Sequence, residues 1–158
     1  MNLQNRQAFL DTLAASELGA DLLAKSDNGY NVIVGSTPKH PVLFHSYADH
    51  PRVLVKIANL GLKSTAAGRY QILARYFDIY KKQLGLPDFS PASQDKIALQ
   101  LIKECHALED IDAGHIEHAL MLCASRWASL PSSGYGQREN TSADLKSYFV
   151  SAGGVVAV

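Results

Sequence analysis

Cysteine is scarce in this chain, with two residues, Cys105 and Cys123, among 158. Both fall in segments with helical periodicity, so a framework of disulfide bonds is not expected. The sequence also lacks an apolar run long enough to span a bilayer, and no basic start followed by an apolar stretch marks a secretion signal. These absences predict a protein that folds in a reducing cytosol and does not insert into a membrane.

An excess of either charge is also missing, because 15 lysine and arginine residues balance 15 aspartate and glutamate residues. A nucleic-acid binder usually carries a basic face, so no nucleic-acid partner is expected. A polymeric ligand would have to be held by hydrogen bonds and stacking rather than by net charge. The length and a hydrophobic content of 47% suit a single domain over residues 1–158.

Helical patterns dominate what is present. Apolar residues recur at helical spacing from Gln4 to Ser16 and from Gly68 to Leu84, with Gly85 as the expected end of the second segment. Further helices are predicted after Ser90-Pro91, from Ile116 to Trp127, and after a Thr141 cap. Strand-forming residues cluster between positions 30 and 47. The pattern predicts an α+β fold, mainly helical, with a small irregular β-sheet or hairpin in that region.

Two loops stand apart from the helical segments, Val53 to Lys63 and Leu130 to Asn140. The second is the most turn-rich stretch of the chain, with Tyr135 between two glycines and Gln137 following. Glycine allows close approach of the backbone to a ligand, and tyrosine offers a flat face and a hydroxyl. The loop is interpreted as the lip of a ligand groove, and a flexible connector is the alternative.

Glu17 is the strongest candidate for chemistry. Phe9, Leu10, Leu13 and Ala14 form the apolar side of the first helix, and continuing their period places Glu17 on that side. Burial against such neighbours raises the pKa of a carboxyl group, which allows it to act as a general acid near neutral pH. A lone carboxylate of this kind suits acid catalysis on a sugar.

A second polar cluster, Lys63 to Gln71, provides candidates for binding a sugar. Gln71, Tyr70, Ser64 and Thr65 carry amide, phenol and hydroxyl groups that can read sugar hydroxyl and N-acetyl groups through neutral hydrogen bonds. Structural roles are the alternatives: Tyr70 fits a helix core, Ser64 or Thr65 could cap a helix, and Arg69 could form a structural ion pair.

Six histidines raise the question of a metal. His115 and His118 share one helical face, and His40, His45 and His50 are regularly spaced. Neither set comes with the cysteine or carboxylate partners of a recognisable zinc motif. No metal and no cofactor are therefore expected.

Several sequence blocks resemble the phage endolysins of the lambda lysozyme type. The blocks are Ala15-Ser16-Glu17, Gly29 to Gly35, Tyr47 to Arg52, Lys63 to Gln71, Lys82 to Leu86, Asp88 to Pro91, Trp127 to Pro131 and Gly134 to Gln137. The resemblance implies a lysozyme-like fold and a lytic transglycosylase that cleaves peptidoglycan between N-acetylmuramic acid and N-acetylglucosamine. It also implies that Glu17 is the catalytic acid and that the two loops are lips over the glycan.

The same resemblance implies a partner set and a location. The substrate would be the glycan strands of bacterial peptidoglycan, and a separate holin would release the protein from the host cytoplasm to the cell wall at lysis. A monomer is expected.

Two other functions stay open at this stage. A hydrolytic lysozyme would cut the same bond but needs a second carboxylate, for which Asp21, Asp27 and Asp49 are candidates in turn-like sequence. A non-catalytic glycan-binding module is the other alternative, although a buried acid would then reduce stability without serving binding.

Overall fold

The computed structural model of the chain describes residues 1–57, 61–131 and 140–158. The chain divides into two compact units. Unit 1 comprises Met1–Glu17 and Ala98–Val158, and unit 2 comprises Leu18–Ile97. The single domain expected over residues 1–158 stays a prediction.

The described residues form a mainly helical fold, as the sequence predicts. The helices are α1 (Leu3–Leu18), α2 (Ala20–Ala24), α3 (Ala74–Leu84), α4 (Pro91–Glu104), α5 (Leu108–Ala113), α6 (Ile116–Cys123) and α7 (Ser142–Ser151). Thr141 caps α7 by accepting a hydrogen bond from the backbone N–H of Asp144, and Gly85 ends α3 in a left-handed conformation. The sequence predicts both of these helix ends, from the cap residue Thr141 and from Gly85. The short helices α2 and α5 were not predicted.

The core of unit 1 contains Phe9, Leu13, Leu120 and Phe149, each fully buried. Asn5 is a polar residue inside this core, with 1% of its surface exposed. Its side-chain amide donates 2.9 Å hydrogen bonds to the carbonyls of Ile111 and Val155 and accepts a 2.8 Å bond from the Val155 N–H. The buried amide is therefore fully used, which removes the penalty for placing it there.

The hairpin of unit 2 lies later in the chain than predicted. Strand β1 (Val55–Ile57) pairs antiparallel with β2 (Leu62–Ser64), whereas residues 30 to 47 form isolated bridges such as Val32 with Leu43. The expectation of a sheet in that earlier region was wrong in its extent. Pro38 and Pro41 interrupt the segment and cannot donate to a ladder, while the apolar Val55 and Ile57 favour extended structure.

Helix α3 begins six residues later than the predicted start at Gly68. Gly68 and Gln71 have φ angles of +82° and +53°, which are incompatible with a right-handed helix. Ala67 and Ile72 instead exchange two backbone hydrogen bonds of 3.1 and 2.9 Å and close a tight loop. The apolar periodicity of this segment was therefore misread as one helix.

An aromatic cluster fills part of unit 2, with the Phe77 and Phe89 rings 5.0 Å apart and His50 4.8 Å from Phe89. His50 is 2% exposed. Its Nδ1 accepts a bond from the Arg52 N–H, so Nε2 carries the proton and donates to the Ile72 carbonyl. Burial lowers the pKa of His50, which keeps the ring neutral.

Candidate active site

Glu17 lies in the last turn of α1, with partial exposure. Leu13 and Ala14, one turn earlier on the same face, are fully buried. Burial raises the pKa of Glu17 to about 7, and a hydrogen bond from Ser129 acts in the opposite direction. The carboxyl group can therefore be protonated or ionised near neutral pH, as acid and base chemistry by a single group requires.

Three polar side chains of unit 1 support Glu17. Ser129 Oγ donates to Glu17 Oε1 over 3.2 Å, and Ser16 Oγ lies 2.8 Å from Ser129 Oγ. Asn140 Nδ2 donates to the carbonyl and the hydroxyl of Ser16 over 3.1 and 3.0 Å. The sequence analysis assigned no role to these residues. The available signals were the adjacency of Ser16 to Glu17, the position of Ser129 just before the turn-rich loop and the position of Asn140 at the end of that loop.

Gln71 in unit 2 adopts a strained backbone conformation at a partly exposed position. Its amide Nε2 donates to the Gly68 carbonyl over 2.9 Å, which holds the side chain over its own tight loop. A left-handed conformation of a residue with a side chain costs on the order of 1 kcal/mol and persists where surrounding contacts enforce it. Its predicted role in binding substrate stays a prediction.

Tyr70 lies in the core of unit 2 and is 1% exposed. Its hydroxyl donates to Asp95 Oδ1 over 2.6 Å and accepts from Arg69 Nη1 over 3.0 Å, and Tyr30 donates to the same carboxylate over 2.9 Å. The Arg69 guanidinium also lies 5.2 Å from the centre of the Tyr30 ring. These contacts favour the core interpretation of Tyr70, which the sequence left open, and they place Asp95 in a structural network that the sequence analysis missed.

The hydroxyls of Ser64 and Thr65 serve the local backbone. Ser64 Oγ accepts from the Ala66 N–H over 3.1 Å. Thr65 Oγ1 accepts from the Ala74 N–H over 3.0 Å and so satisfies one of the free N–H groups at the start of α3. The contact matches the capping alternative for Thr65. The other two predicted ligand residues, Tyr135 and Gln137, lie outside the described residues.

The three aspartates considered as second carboxylates belong to unit 2. Asp27 accepts a 2.5 Å hydrogen bond from the Tyr47 hydroxyl. Asp49 pairs with Arg52 over 3.0 Å, and this bond holds the pKa of Asp49 below its usual value. Asp21 is exposed in the first turn of α2. Asp27 and Asp49 thus have local structural bonds of the kind expected for aspartates near turns.

Within residues 1–57, 61–131 and 140–158, no group of three or more histidine, cysteine, aspartate or glutamate residues is arranged to hold a metal ion. His115 and His118 instead flank Asp110, with Nδ1 to carboxylate oxygen distances of 3.4 and 2.9 Å. No helix in these same ranges has the length and apolar character needed to cross a bilayer.

Comparison with known proteins identifies the family. A family model described as Endolysin matches residues 7–156. The endolysin of Escherichia phage P2 is 49% identical over 158 residues, which covers 98% of this chain and 96% of that protein. The endolysin of Escherichia phage lambda is 54% identical over 152 residues, which covers 96% and 92%.

Two solved structures agree with this fold. Bacteriophage lambda lysozyme complexed with a chitohexasaccharide superposes with a TM-score of 0.88 at 51% identity, covering 99% of this chain and 97% of that one. A second structure of lysozyme from bacteriophage lambda gives a TM-score of 0.85 at 52% identity with the same coverage. The lysozyme-like α+β fold predicted from the sequence is therefore confirmed. The chain belongs to the endolysin family and is a peptidoglycan-cleaving enzyme of the lambda lysozyme type.

Proposed function

We propose that this endolysin is a lytic transglycosylase, which cleaves the β-1,4 bond between N-acetylmuramic acid and N-acetylglucosamine and closes a 1,6-anhydro ring on the muramic acid. The observation that carries this proposal is Glu17, whose burial raises its pKa to about 7. A glutamate with an ordinary pKa would be almost fully ionised at neutral pH and could not donate a proton efficiently.

The reaction needs one group that acts twice. Protonated Glu17 donates its proton to the glycosidic oxygen as the bond from that oxygen to C1 of the muramic acid breaks. The resulting carboxylate then accepts the proton of the C6 hydroxyl of the same sugar, whose oxygen bonds to C1. No water is consumed, and Glu17 ends in the protonated form in which it began.

The local bonds of Asp27 and Asp49, two of the three candidate second carboxylates, support this single-acid scheme. Asp27 is bonded to Tyr47, and Asp49 is paired with Arg52. A hydrolytic lysozyme uses a second carboxylate as a nucleophile or to activate water. Glu17 alone suffices for the transglycosylase reaction.

We propose that the glycan is held by neutral hydrogen bonds from Gln71, Ser64 and Thr65, with contributions from Gln137 and Tyr135. Tyr70 contributes by supporting the Gln71 loop from the core. Because 15 acidic and 15 basic residues leave no net charge, neutral contacts suit an uncharged sugar backbone. A glycan ligand is consistent with the chitohexasaccharide in the lambda lysozyme structure. The protein is proposed to act as a monomer without a cofactor, and to reach the cell wall from the host cytoplasm through a holin.

Mass spectrometry of the fragments released from purified peptidoglycan tests the proposal. Muropeptides that end in 1,6-anhydro-muramic acid, one water lighter than reducing-end products, are expected from the wild type. Glu17→Gln is expected to release none. Reducing-end products would overturn the transglycosylase assignment in favour of the hydrolytic lysozyme, and Asp21, Asp27 and Asp49 would then be substituted one at a time to identify the second carboxylate.

A further inference from the structure

The hydrogen bonds around Glu17 have a defined direction. Asn140 Nδ2 lies 3.1 Å from the carbonyl oxygen of Ser16 and 3.0 Å from its hydroxyl oxygen. A carbonyl oxygen can only accept, so this contact fixes the amide nitrogen, not the amide oxygen, on the side of Ser16. Ser16 Oγ therefore accepts a hydrogen bond from Asn140.

The same reasoning orients the two hydroxyl groups. Ser129 has a single hydroxyl proton, which it donates to Glu17 Oε1 over 3.2 Å. Ser16 Oγ lies 2.8 Å from Ser129 Oγ and 3.4 Å from the Ser129 carbonyl oxygen, so its single proton is assigned to the shorter contact with the hydroxyl. The serines are buried, with 8% and 9% of their surfaces exposed. A one-way series of donors therefore runs from Asn140 through Ser16 and Ser129 to Glu17.

We propose that Asn140 is a positioning residue for the acid, which acts through Ser16 and Ser129 to maintain the hydrogen bond that Ser129 donates to Glu17 Oε1. Because Oε1 accepts from Ser129, the exchangeable proton of the carboxyl group resides on Oε2, the oxygen left for the sugar. The same bond stabilises the carboxylate after the proton has been transferred. The chemical consequence rests on the proposed function, whereas the hydrogen-bond direction does not.

The effect of the Asn140 side chain on the pKa of Glu17 can be measured, because few groups in the described part of the chain act on this carboxyl group. Among the described residues, burial and the Ser129 hydrogen bond are the two influences on the pKa of Glu17. Asn140 is neutral, and its backbone N–H donates separately to the Ser129 carbonyl over 2.9 Å. Replacing its side chain therefore removes the first donor of the series while the backbone attachment remains.

Carbon-13 NMR titration of the glutamate carboxyl groups in the full chain provides the direct test, with Glu17→Gln used to assign the signal. Asn140→Ala is expected to raise the Glu17 pKa by about half a unit to one unit, since a carboxylate loses part of a neutral hydrogen bond. Ser16→Ala breaks the series at its next link and is expected to shift the pKa in the same direction. Asn2→Ala, which changes an asparagine of unit 1 just before the start of α1, at the end of that helix opposite to Glu17, is the matched control and is expected to leave the pKa unchanged.

A double substitution distinguishes an effect transmitted through the series of hydrogen bonds from a general disturbance of the structure around Glu17. Asn140→Ala combined with Ser129→Ala is expected to shift the pKa no more than Ser129→Ala alone, because Asn140 acts only through Ser129. Additive shifts, or an unchanged pKa in both Asn140→Ala and Ser16→Ala, would overturn the proposal. These results are independent of any activity, so they stand whether or not the transglycosylase assignment holds.

The pH profile of glycan cleavage adds a functional readout. The descending limb at high pH is expected to move upward in Asn140→Ala by the same amount as the NMR pKa. A residue that only supports the fold would lower the rate equally at every pH and leave the limb in place, and that result would contradict a positioning role.

Discussion

Glu17, a largely buried side chain, lowers the stability of the fold when it is ionised, and the same burial gives it the acidity needed for catalysis. Its pKa rises from 4.5 to about 7 because burial disfavours the ionised form. Between these two values the native state binds more protons than the unfolded state, so the stability of the fold falls as pH rises through this range. The ionised Glu17 is therefore a cost to the fold at and above neutral pH, and selection for stability alone would remove it.

Glu17→Gln is expected to stabilise the protein at pH 8 while abolishing cleavage. A shift from 4.5 to about 7 corresponds to roughly 3 kcal/mol, which is the upper limit of the gain in the free energy of unfolding. At pH 4 the gain disappears, because Glu17 is protonated in both states. Urea unfolding at the two pH values measures the difference. The exposed Glu109→Gln in α5 is the control, with an expected change within about 0.5 kcal/mol at either pH. A destabilised Glu17→Gln at pH 8 would contradict the argument.

The rate of glycan cleavage is expected to fall as pH rises past about 7, because the acid form of Glu17 is lost there. Initial rates measured from pH 5 to 9 on purified peptidoglycan locate this descending limb. A limb near the 4.5 of an ordinary glutamate would show that burial does not set the acidity of the catalytic group.

At the scale of elements, the features that could be predicted were those determined by a few neighbouring residues in the sequence. Helix ends at Thr141 and Gly85 follow from a cap residue and a left-handed glycine, which act over a few residues. The loop before α3 was misread because a glutamine at φ +53° has no local sequence signal. The hairpin was assigned to a loop because its strands are three residues each, too short to show alternation.

The residues of the candidate site also differ in whether local sequence predicts them. Glu17 could be found from the apolar period of α1, which is a local property. Its contact with Ser129 joins residues 112 positions apart, and the contact of Asn140 with Ser16 joins residues 124 positions apart. Such pairs depend on how helices and loops pack, so the position of a residue beside Glu17 or a loop suggests a candidate but does not predict the contact.

Gln94 in α4 links three backbone segments of unit 2 and is fully buried. Its Nε2 donates to the carbonyls of Tyr30 and Phe89 over 3.0 and 2.9 Å, and its Oε1 accepts from the Arg69 N–H over 2.9 Å. Gly68 approaches this amide so closely that a Cβ atom there would overlap Gln94 Oε1. The loop that carries Gln71 is therefore anchored by one glutamine side chain.

Gln94→Leu is expected to lower the free energy of unfolding by about 3 kcal/mol, because three backbone groups, two of them in buried contacts, lose their partners. Chemical denaturation monitored by circular dichroism measures this loss. Gln83→Leu, at an exposed position of α3, is the matched control and should change stability by no more than about 0.5 kcal/mol. Equal effects of the two variants would show that the Gln94 contacts do not hold the loop.

For the whole molecule, two groups titrate in opposite senses over the same range of pH. Burial keeps His50 neutral, so acidification below 6.5 favours the unfolded state, in which the ring takes up a proton. Glu17 has the opposite effect, since its raised pKa makes acidification from 7 to 4.5 stabilising. The two contributions therefore oppose each other between pH 6.5 and pH 5, and Glu17 counteracts the loss of stability that protonation of His50 produces.

Removing Glu17 should expose the contribution of His50. In Glu17→Gln, the free energy of unfolding is expected to decrease as pH falls from 6.5 to 5, whereas in the wild type this decrease is expected to be smaller or reversed. Denaturation midpoints at half-unit steps of pH measure both curves. Parallel curves for the two proteins would contradict the compensation.

The Asn5 amide has a practical consequence for modifying the chain. It donates to the carbonyl and accepts from the N–H of Val155, as the backbone of a paired strand would, and so holds Val155 beside α1. Residues 5 and 155 are thereby held in contact, so a short linker can join the segments near them and new ends can be opened at an exposed turn. A deletion that includes Val155 would remove two of the three hydrogen bonds of this buried amide, whereas a tag added after Val158 would not disturb them.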